Sequence, residues 1–165
     1  QAHHDPLTGL ATRSLFSRQV REALEPGTPG QVAVMVIDLD DFKGVNDSYG
    51  HEVADLLLRS LGEFLLANVR AEDIACRYGG EEFVVMLPEA TLAMTQTRAE
   101  QLWTGIQSLT VNVRGELLRP LTTSVGVAAF PEHGRSLAEL LRAADVALYA
   151  AKRQGRDRVI VAQKS

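Results

Sequence analysis

Apolar residues recur along this chain with two periods, one helical and one strand-like. Phe16, Val20, Ala23 and Leu24 fall on one face of a helix, which Pro26-Gly27 is expected to stop. Turn-rich Asp5-Pro6-Leu7-Thr8-Gly9-Leu10 leads into it. Val32 to Leu39 is a nearly continuous apolar run, which predicts a central strand buried on both faces. Val53, Leu56, Leu57, Leu61, Phe64, Leu65 and Val69 mark a strongly amphipathic helix. Ile74-Ala75-Cys76 and Phe83 to Leu87 are strand-like runs around two glycines, and together predict a hairpin. Leu92 to Leu109 predicts a further helix with Leu102, Trp103, Ile106 and Leu109 inward, and Leu121 to Phe130 a strand. Leu137, Leu140, Leu141, Ala144, Leu148 and Ala151 mark a last helix, and Val159-Ile160-Val161 a closing strand. The order is helix, strand, helix, hairpin, helix, strand, helix, strand. It predicts an α/β (α+β) fold, with a mixed sheet backed by helices.

Bulk composition narrows the class. The 165 residues suffice for one domain with a real core, and 45% hydrophobic with 23% charged residues fits an ordinary soluble protein. A net charge of −4 argues against a broad DNA- or RNA-binding surface. Lone Cys76 excludes an internal disulfide and suits a reducing, cytoplasmic compartment. No apolar run is long enough to span a membrane, so no membrane contact by this domain is expected. Residues 1–165 read as a single domain, and the start on Gln1 suggests excision from a larger protein.

Two acidic clusters carry candidate chemistry. In Arg77-Tyr78-Gly79-Gly80-Glu81-Glu82-Phe83 the glycines are expected to free the backbone for a tight turn, with paired acids on its rim. In Ile37-Asp38-Leu39-Asp40-Asp41-Phe42-Lys43, Asp38 and Asp40 project to the same face of the central strand. Two carboxylates there repel unless a cation lies between them, and magnesium fits this setting. A solvated Asp-rich loop is the alternative.

Four further groups read either way. Lys43 and Gly44 could form an open turn whose amides meet phosphate oxygens. Asn46 with Asp55 could read a purine edge, or serve as a turn residue and a charge in a helix's first turn. Lys152, Arg153, Arg156 and Arg158 suit a helix C-terminus or a triphosphate. Arg70 and Asp73 could be a local cap, like most such surface pairs.

Taken together these segments resemble the GGDEF domains, the diguanylate cyclases, over almost the full length. The likeness rests on Asp5-Pro6-Leu7-Thr8-Gly9-Leu10, Asp38 to Lys43, Asn46-Asp47 with Gly50-His51, and Arg77 to Phe83. It continues through Ser124-Val125-Gly126-Val127-Ala128, Ala144-Asp145, and Tyr149 to Lys152. The resemblance implies a palm-like, mainly antiparallel sheet related to nucleotidyl cyclases. It implies condensation of two GTP into cyclic di-GMP and two pyrophosphates by a transient homodimer under an upstream sensory domain. Asp38, Glu82 and the Leu39 carbonyl match magnesium ligands, two ions per site, with Mn²⁺ as a substitute. Glu81 matches the acid that helps activate the ribose 3′-hydroxyl. Asn46 and Asp55 match the guanine readers. Phe42, Lys43, Gly79 and Gly80 match the turns around the phosphates, and Lys152 and Arg156 the triphosphate cations. Arg70 and Asp73 match a product-inhibition site for cyclic di-GMP.

The chain departs from the family pattern at Glu81 (usually Asp), Thr12 (usually Asn), Asp157 (usually Asn) and Gln101 (often Arg). Two competing functions use the same residues: a cyclic di-GMP receptor without turnover, and a synthase of a GMP–AMP hybrid dinucleotide.

Overall fold

Val32, Val34 and Val36 point to one side of the central strand, and Met35, Ile37 and Leu39 to the other, all buried. A strand with two apolar faces needs cover on both. The computed structural model describes residues 3–25, 30–118 and 121–164 and supplies that cover. The strand, β1 (Val32–Leu39), lies in the middle of a five-stranded sheet. Its neighbours are β3 (Glu82–Pro88) and β6 (Thr123–Phe130), both antiparallel to it. β2 (Ile74–Arg77) pairs antiparallel outside β3, and β7 (Arg158–Val161) runs parallel outside β6. The sheet is therefore mixed and mainly antiparallel, as expected.

Helices α1 (Arg13–Ala23) and α5 (Leu137–Arg153) cover the face of Val32, Val34 and Val36 with Phe16, Val20, Leu140, Ala144 and Leu148. Helices α3 (His51–Asn68) and α4 (Leu92–Ile106) cover the other face with Leu57, Leu58, Leu61, Leu65, Ala99 and Leu102. Each large apolar side chain buried this way contributes about 1.5–3 kcal/mol. Three helices start on side-chain caps. The hydroxyls of Thr12, Thr91 and Ser136 accept from the amides of Leu15, Met94 and Glu139. Glu139 Oε1 also accepts from the amide of Arg135, the residue before the cap, at 2.8 Å.

Several expectations are corrected. The supposed open turn at Lys43-Gly44 is instead the first turn of a short helix, α2 (Phe42–Tyr49). Phe42 and Val45, three apart, bury its inner face and override the glycine. A small hairpin, β4 (Val111–Val113) and β5 (Glu116–Leu118), fills a stretch that the hydrophobic pattern left unassigned. Leu56 lies 38% exposed at the edge of the α3 stripe. α4 ends at Ile106, short of Leu109, and Trp103 is only half-buried. Pro26-Gly27 lie outside the described residues. Cys76 sits in β2 with no exposed surface, and burial pushes its thiol up to about 12. Among the described residues no helix is long and apolar enough to cross a membrane.

Candidate active site

The β1–β3 register sets Asp38 directly opposite Glu82. Residues so paired project to the same face with Cβ atoms about 4.5–5.5 Å apart, where like charges repel. Both side chains sit where the sheet meets the turn of residues 78–81. The Tyr78 and Gly79 amides close that turn on the Glu82 carbonyl at 2.8 and 3.1 Å. Its glycines act differently from the expectation. Neither adopts a positive φ, and a Cβ added at Gly80 would meet nothing within 4 Å. Gly80 thus leaves open space above the turn, which lets a ligand approach the backbone closely.

A third and a fourth acid border the pair. Glu81 follows the glycines, and Asp145 projects from α5. Burial raises the pKa of Glu81, aided by the charge of Asp38. Burial also raises Glu82, with Asp145 and Asp38 adding to it, and raises Asp145 in turn. The charge of Lys152 opposes all three shifts. Lys152 stands seven residues after Asp145, two turns along the same face of α5. Its Nζ donates to Asp38 Oδ2. The other oxygen, Asp38 Oδ1, is buried with no hydrogen-bond partner. An orphaned carboxylate oxygen beside a second acid suits a divalent cation, which takes a few carboxylates plus carbonyl, phosphate or water oxygens. Among the described residues no three His, Cys, Asp or Glu side chains form a metal cluster. The donors that could hold a cation are therefore Asp38, Glu82 and a main-chain carbonyl such as that of Leu39.

Asp40 is a correction. Alternation suggested that it share a cation with Asp38. Its oxygens are instead filled by protein donors: the Ser124 hydroxyl at 2.8 Å, the Thr122 hydroxyl at 2.7 Å and the Asp157 amide at 3.1 Å. These donors balance its charge without a metal.

The remaining candidates flank the acids. Asp41, left-handed at φ 55°, starts α2, so the amides of Phe42 and Lys43 precede the first helical bond. A helix start of this kind presents free N–H groups to an anion. The ring of Phe42 is core, so only its backbone can serve there. Lys43 is exposed. Asn46 Oδ1 is buried without a partner, and Asp55 is exposed in the second turn of α3. Arg156 is exposed on the turn between α5 and β7.

Arg70 and Asp73 lie away from this group, in the α3–β2 connection. Asp73 accepts from the Arg70 amide at 2.8 Å and from its guanidinium at 2.9 Å, and its side chain is fully buried. The hydrogen bond to Asp73 raises the Arg70 pKa further. Arg70 also donates to the Pro88 carbonyl at 3.2 Å. The local-cap reading is thus part of the picture, since this pair ties the connection to β3. The sequence reading missed a neighbour. Arg98, one turn before Gln101 on α4, lies 3.6 Å from Asp73 and donates to the Asn68 carbonyl at 2.8 Å. Arg70, Arg98 and Gln101 line one cavity of about 310 Å³ with Met94 and Thr97.

A family model described as "Diguanylate cyclase, GGDEF domain" matches residues 2–158. The chain belongs to the GGDEF domain family. This GGDEF domain is 38% identical over 159 residues to the response regulator PleD of Caulobacter vibrioides, covering 94% of the chain and 35% of PleD. It is 37% identical over 159 residues to the diguanylate cyclase DosC of Escherichia coli, covering 94% of the chain and 34% of DosC. The chain thus spans about a third of the length of these curated relatives. Among solved structures, the GGDEF domain of DgcB from Caulobacter crescentus, in complex with c-di-GMP, superposes with a TM-score of 0.90. That pair is 33% identical, over 99% of this chain and 95% of the other.

The site of this GGDEF domain also contains residues that the sequence reading did not single out. Asp145 was named only within the Ala144-Asp145 part of the family likeness, with no role given to its carboxylate. Asp157 was noted only as a departure from the family pattern. Its links to Trp103 and Gln107 join segments about 50 residues apart, and no local spacing signals them.

Proposed function

We propose that this chain is the catalytic domain of a diguanylate cyclase, condensing two GTP into cyclic di-GMP with release of two pyrophosphates. The observation that carries this reading is the direct cross-strand pairing of Asp38 with Glu82 beside an open glycine turn. Relatives named as diguanylate cyclases and the c-di-GMP complex of DgcB support it. The retained acids count against a silent receptor, which has no need of side chains that repel one another.

In this reading Asn46 and Asp55 hold the guanine edge, Asp55 accepting from the N1–H and amino group that adenine lacks. The α2 amides, Lys43, Lys152 and Arg156 bind the triphosphate. Asp38, Glu82 and the Leu39 carbonyl would hold magnesium. Bound Mg²⁺, one ion or two, supplies charge neutralisation at the α-phosphate and lowers the pKa of the 3′-hydroxyl. Burial raises the pKa of Glu81, which makes it a stronger base for the hydroxyl proton. One domain holds one GTP, so a second copy must face it for each hydroxyl to attack the other nucleotide's α-phosphorus. Positioning and charge account for most of the rate. Dimer geometry is then the control point, set by upstream segments of a longer parent. That parent keeps this domain in the cytoplasm, where GTP is found. Arg70, Asp73 and Arg98 form the product-inhibition site, with Arg98 offering a second guanidinium where Gln101 has none.

Incubation with GTP, ATP and Mg²⁺ followed by separation of products tests this. Cyclic di-GMP is expected from GTP alone, with specific activity that rises with protein concentration. An adenine-containing product, or none, overturns the reading. Arg70→Ala is expected to raise the concentration of cyclic di-GMP needed for half-inhibition by about tenfold, the effect of losing one charge-assisted contact. An unchanged inhibition curve would limit the Arg70–Asp73 pair to its capping role.

A further inference from the structure

Between α5 and β7 the chain runs through three consecutive left-handed residues, Gly155 (φ 117°), Arg156 (65°) and Asp157 (52°). Glycine adopts such angles freely, aspartate does so at a small cost and arginine at a larger one. A conformation of this kind persists only where surrounding contacts hold it. Two holds are local. The Arg156 amide donates to the Ala151 carbonyl at 2.9 Å, and the Arg156 carbonyl accepts from Arg158 Nε at 2.9 Å.

The long-range holds all pass through Asp157. Its amide donates to Asp40 Oδ2 at 3.1 Å. Its carboxylate Oδ1 accepts from Trp103 Nε1 and Gln107 Nε2, both at 3.2 Å. Trp103 and Gln107 are four residues apart and share a face at the end of α4. Asp40 is itself fixed by the hydroxyls of Ser124 and Thr122 on the β6 side. The turn is thereby pinned to the end of β1 through its backbone and to α4 through its side chain. Two N–H donors converging on one oxygen are better matched by a carboxylate than by an amide.

We propose that Asp157 is a positioning residue for the nucleotide phosphates. It clamps the left-handed turn and so fixes the direction in which the neighbouring Arg156 guanidinium reaches. The proposal rests on the reading of Arg156 as a triphosphate cation. Pre-setting a long, exposed arginine lowers the entropy lost when it meets phosphate, so the effect falls on substrate affinity.

Pyrophosphate release from GTP and Mg²⁺ by this chain, with KM and kcat resolved, tests the clamp. Asp157→Ala is expected to raise KM for GTP about tenfold and leave kcat within about twofold. Asp157→Asn keeps an acceptor oxygen and recovers most of the affinity. Trp103→Phe deletes one donor and raises KM in the same direction. Trp103 is the chain's only tryptophan, so its emission reports the contact directly and is expected to shift in Asp157→Ala. Arg156→Ala is the control. If it leaves KM unchanged, the assignment of Arg156 fails. If it raises KM while Asp157→Ala and Trp103→Phe do not, the clamp alone is overturned. Should Asp157→Ala fail to fold, Trp103→Phe decides: a raised KM supports the clamp and an unchanged one sinks it.

Discussion

Glu82→Gln is expected to cut turnover by about 10³-fold and to make the metal-free protein more stable. The first effect follows from the proposed role of Glu82, one of two carboxylates that would hold the metal beside the reacting phosphate, where a single preorganised electrostatic group is worth about 10²–10³-fold or more. The second follows from the same geometry. Glu82 faces Asp38 across the β1–β3 ladder, and burial together with Asp145 and Asp38 raises its pKa. A carboxyl whose folded pKa lies above its ordinary value of 4.5 keeps its proton in the folded chain after the unfolded chain has released it. Folding then takes up a proton, so stability declines as pH climbs from about 4.5 through the raised value. Glutamine has no such penalty. The stability difference between variant and parent is therefore expected to be small at pH 4 and larger at pH 7. There the variant's Tm is expected to lie measurably above the parent's. Added Mg²⁺ should raise the Tm of the parent and leave that of the variant nearly unchanged. Thermal melts at both pH values, with and without the ion, check every arm. Full activity in the variant would remove Glu82 from the chemistry. A pH-independent stability difference would remove the electrostatic account.

The second large effect concerns a residue that touches no substrate. Gly126 lies in β6, under α5, and a Cβ built there would stand 2.1 Å from the Ala144 carbonyl oxygen and 2.6 Å from the Leu148 nitrogen. Both atoms are helix backbone, so no side chain can swing aside. Gly126→Ala must push α5 off the sheet, and overpacking of this kind costs typically 1–3 kcal/mol and occasionally more. With two backbone atoms in the way, a loss of about 3 kcal/mol or more is expected, out of a total of about 5–15 kcal/mol. Activity should fall further than stability alone explains, because Asp145 and Lys152 ride on the displaced helix. Urea denaturation and cyclase assays on the folded fraction separate the two losses. A destabilisation under about 1 kcal/mol would mean that the helix has slack.

Much of this was legible in the chain itself. Unbroken apolar residues from Val32 to Leu39 announced a strand covered on both sides, and helical periodicity around it supplied the covers. Resemblance joined Asp38 to Glu82 before any coordinates did, and the ladder register then gave the pairing its geometry. What stayed hidden shares a physical cause. Phe42 and Val45 make α2 a helix through burial against the core, a tertiary effect that overrides a glycine. Asp40 looks like Asp38 in sequence, yet hydroxyls from Thr122 and Ser124, more than 80 residues away, satisfy it. Arg98 replaces nothing at its own position. It becomes relevant only because one helical turn carries it to Asp73.

The buried thiol of Cys76 has a practical consequence. A sulfur with no exposed surface, ionising only near pH 12, stays unreactive toward ordinary alkylating reagents at neutral pH while the domain is folded. A second cysteine introduced anywhere on the outside would therefore accept a spin label or fluorophore selectively. Distances between two copies could then be followed in solution as nucleotide is added, without first removing the native sulfur.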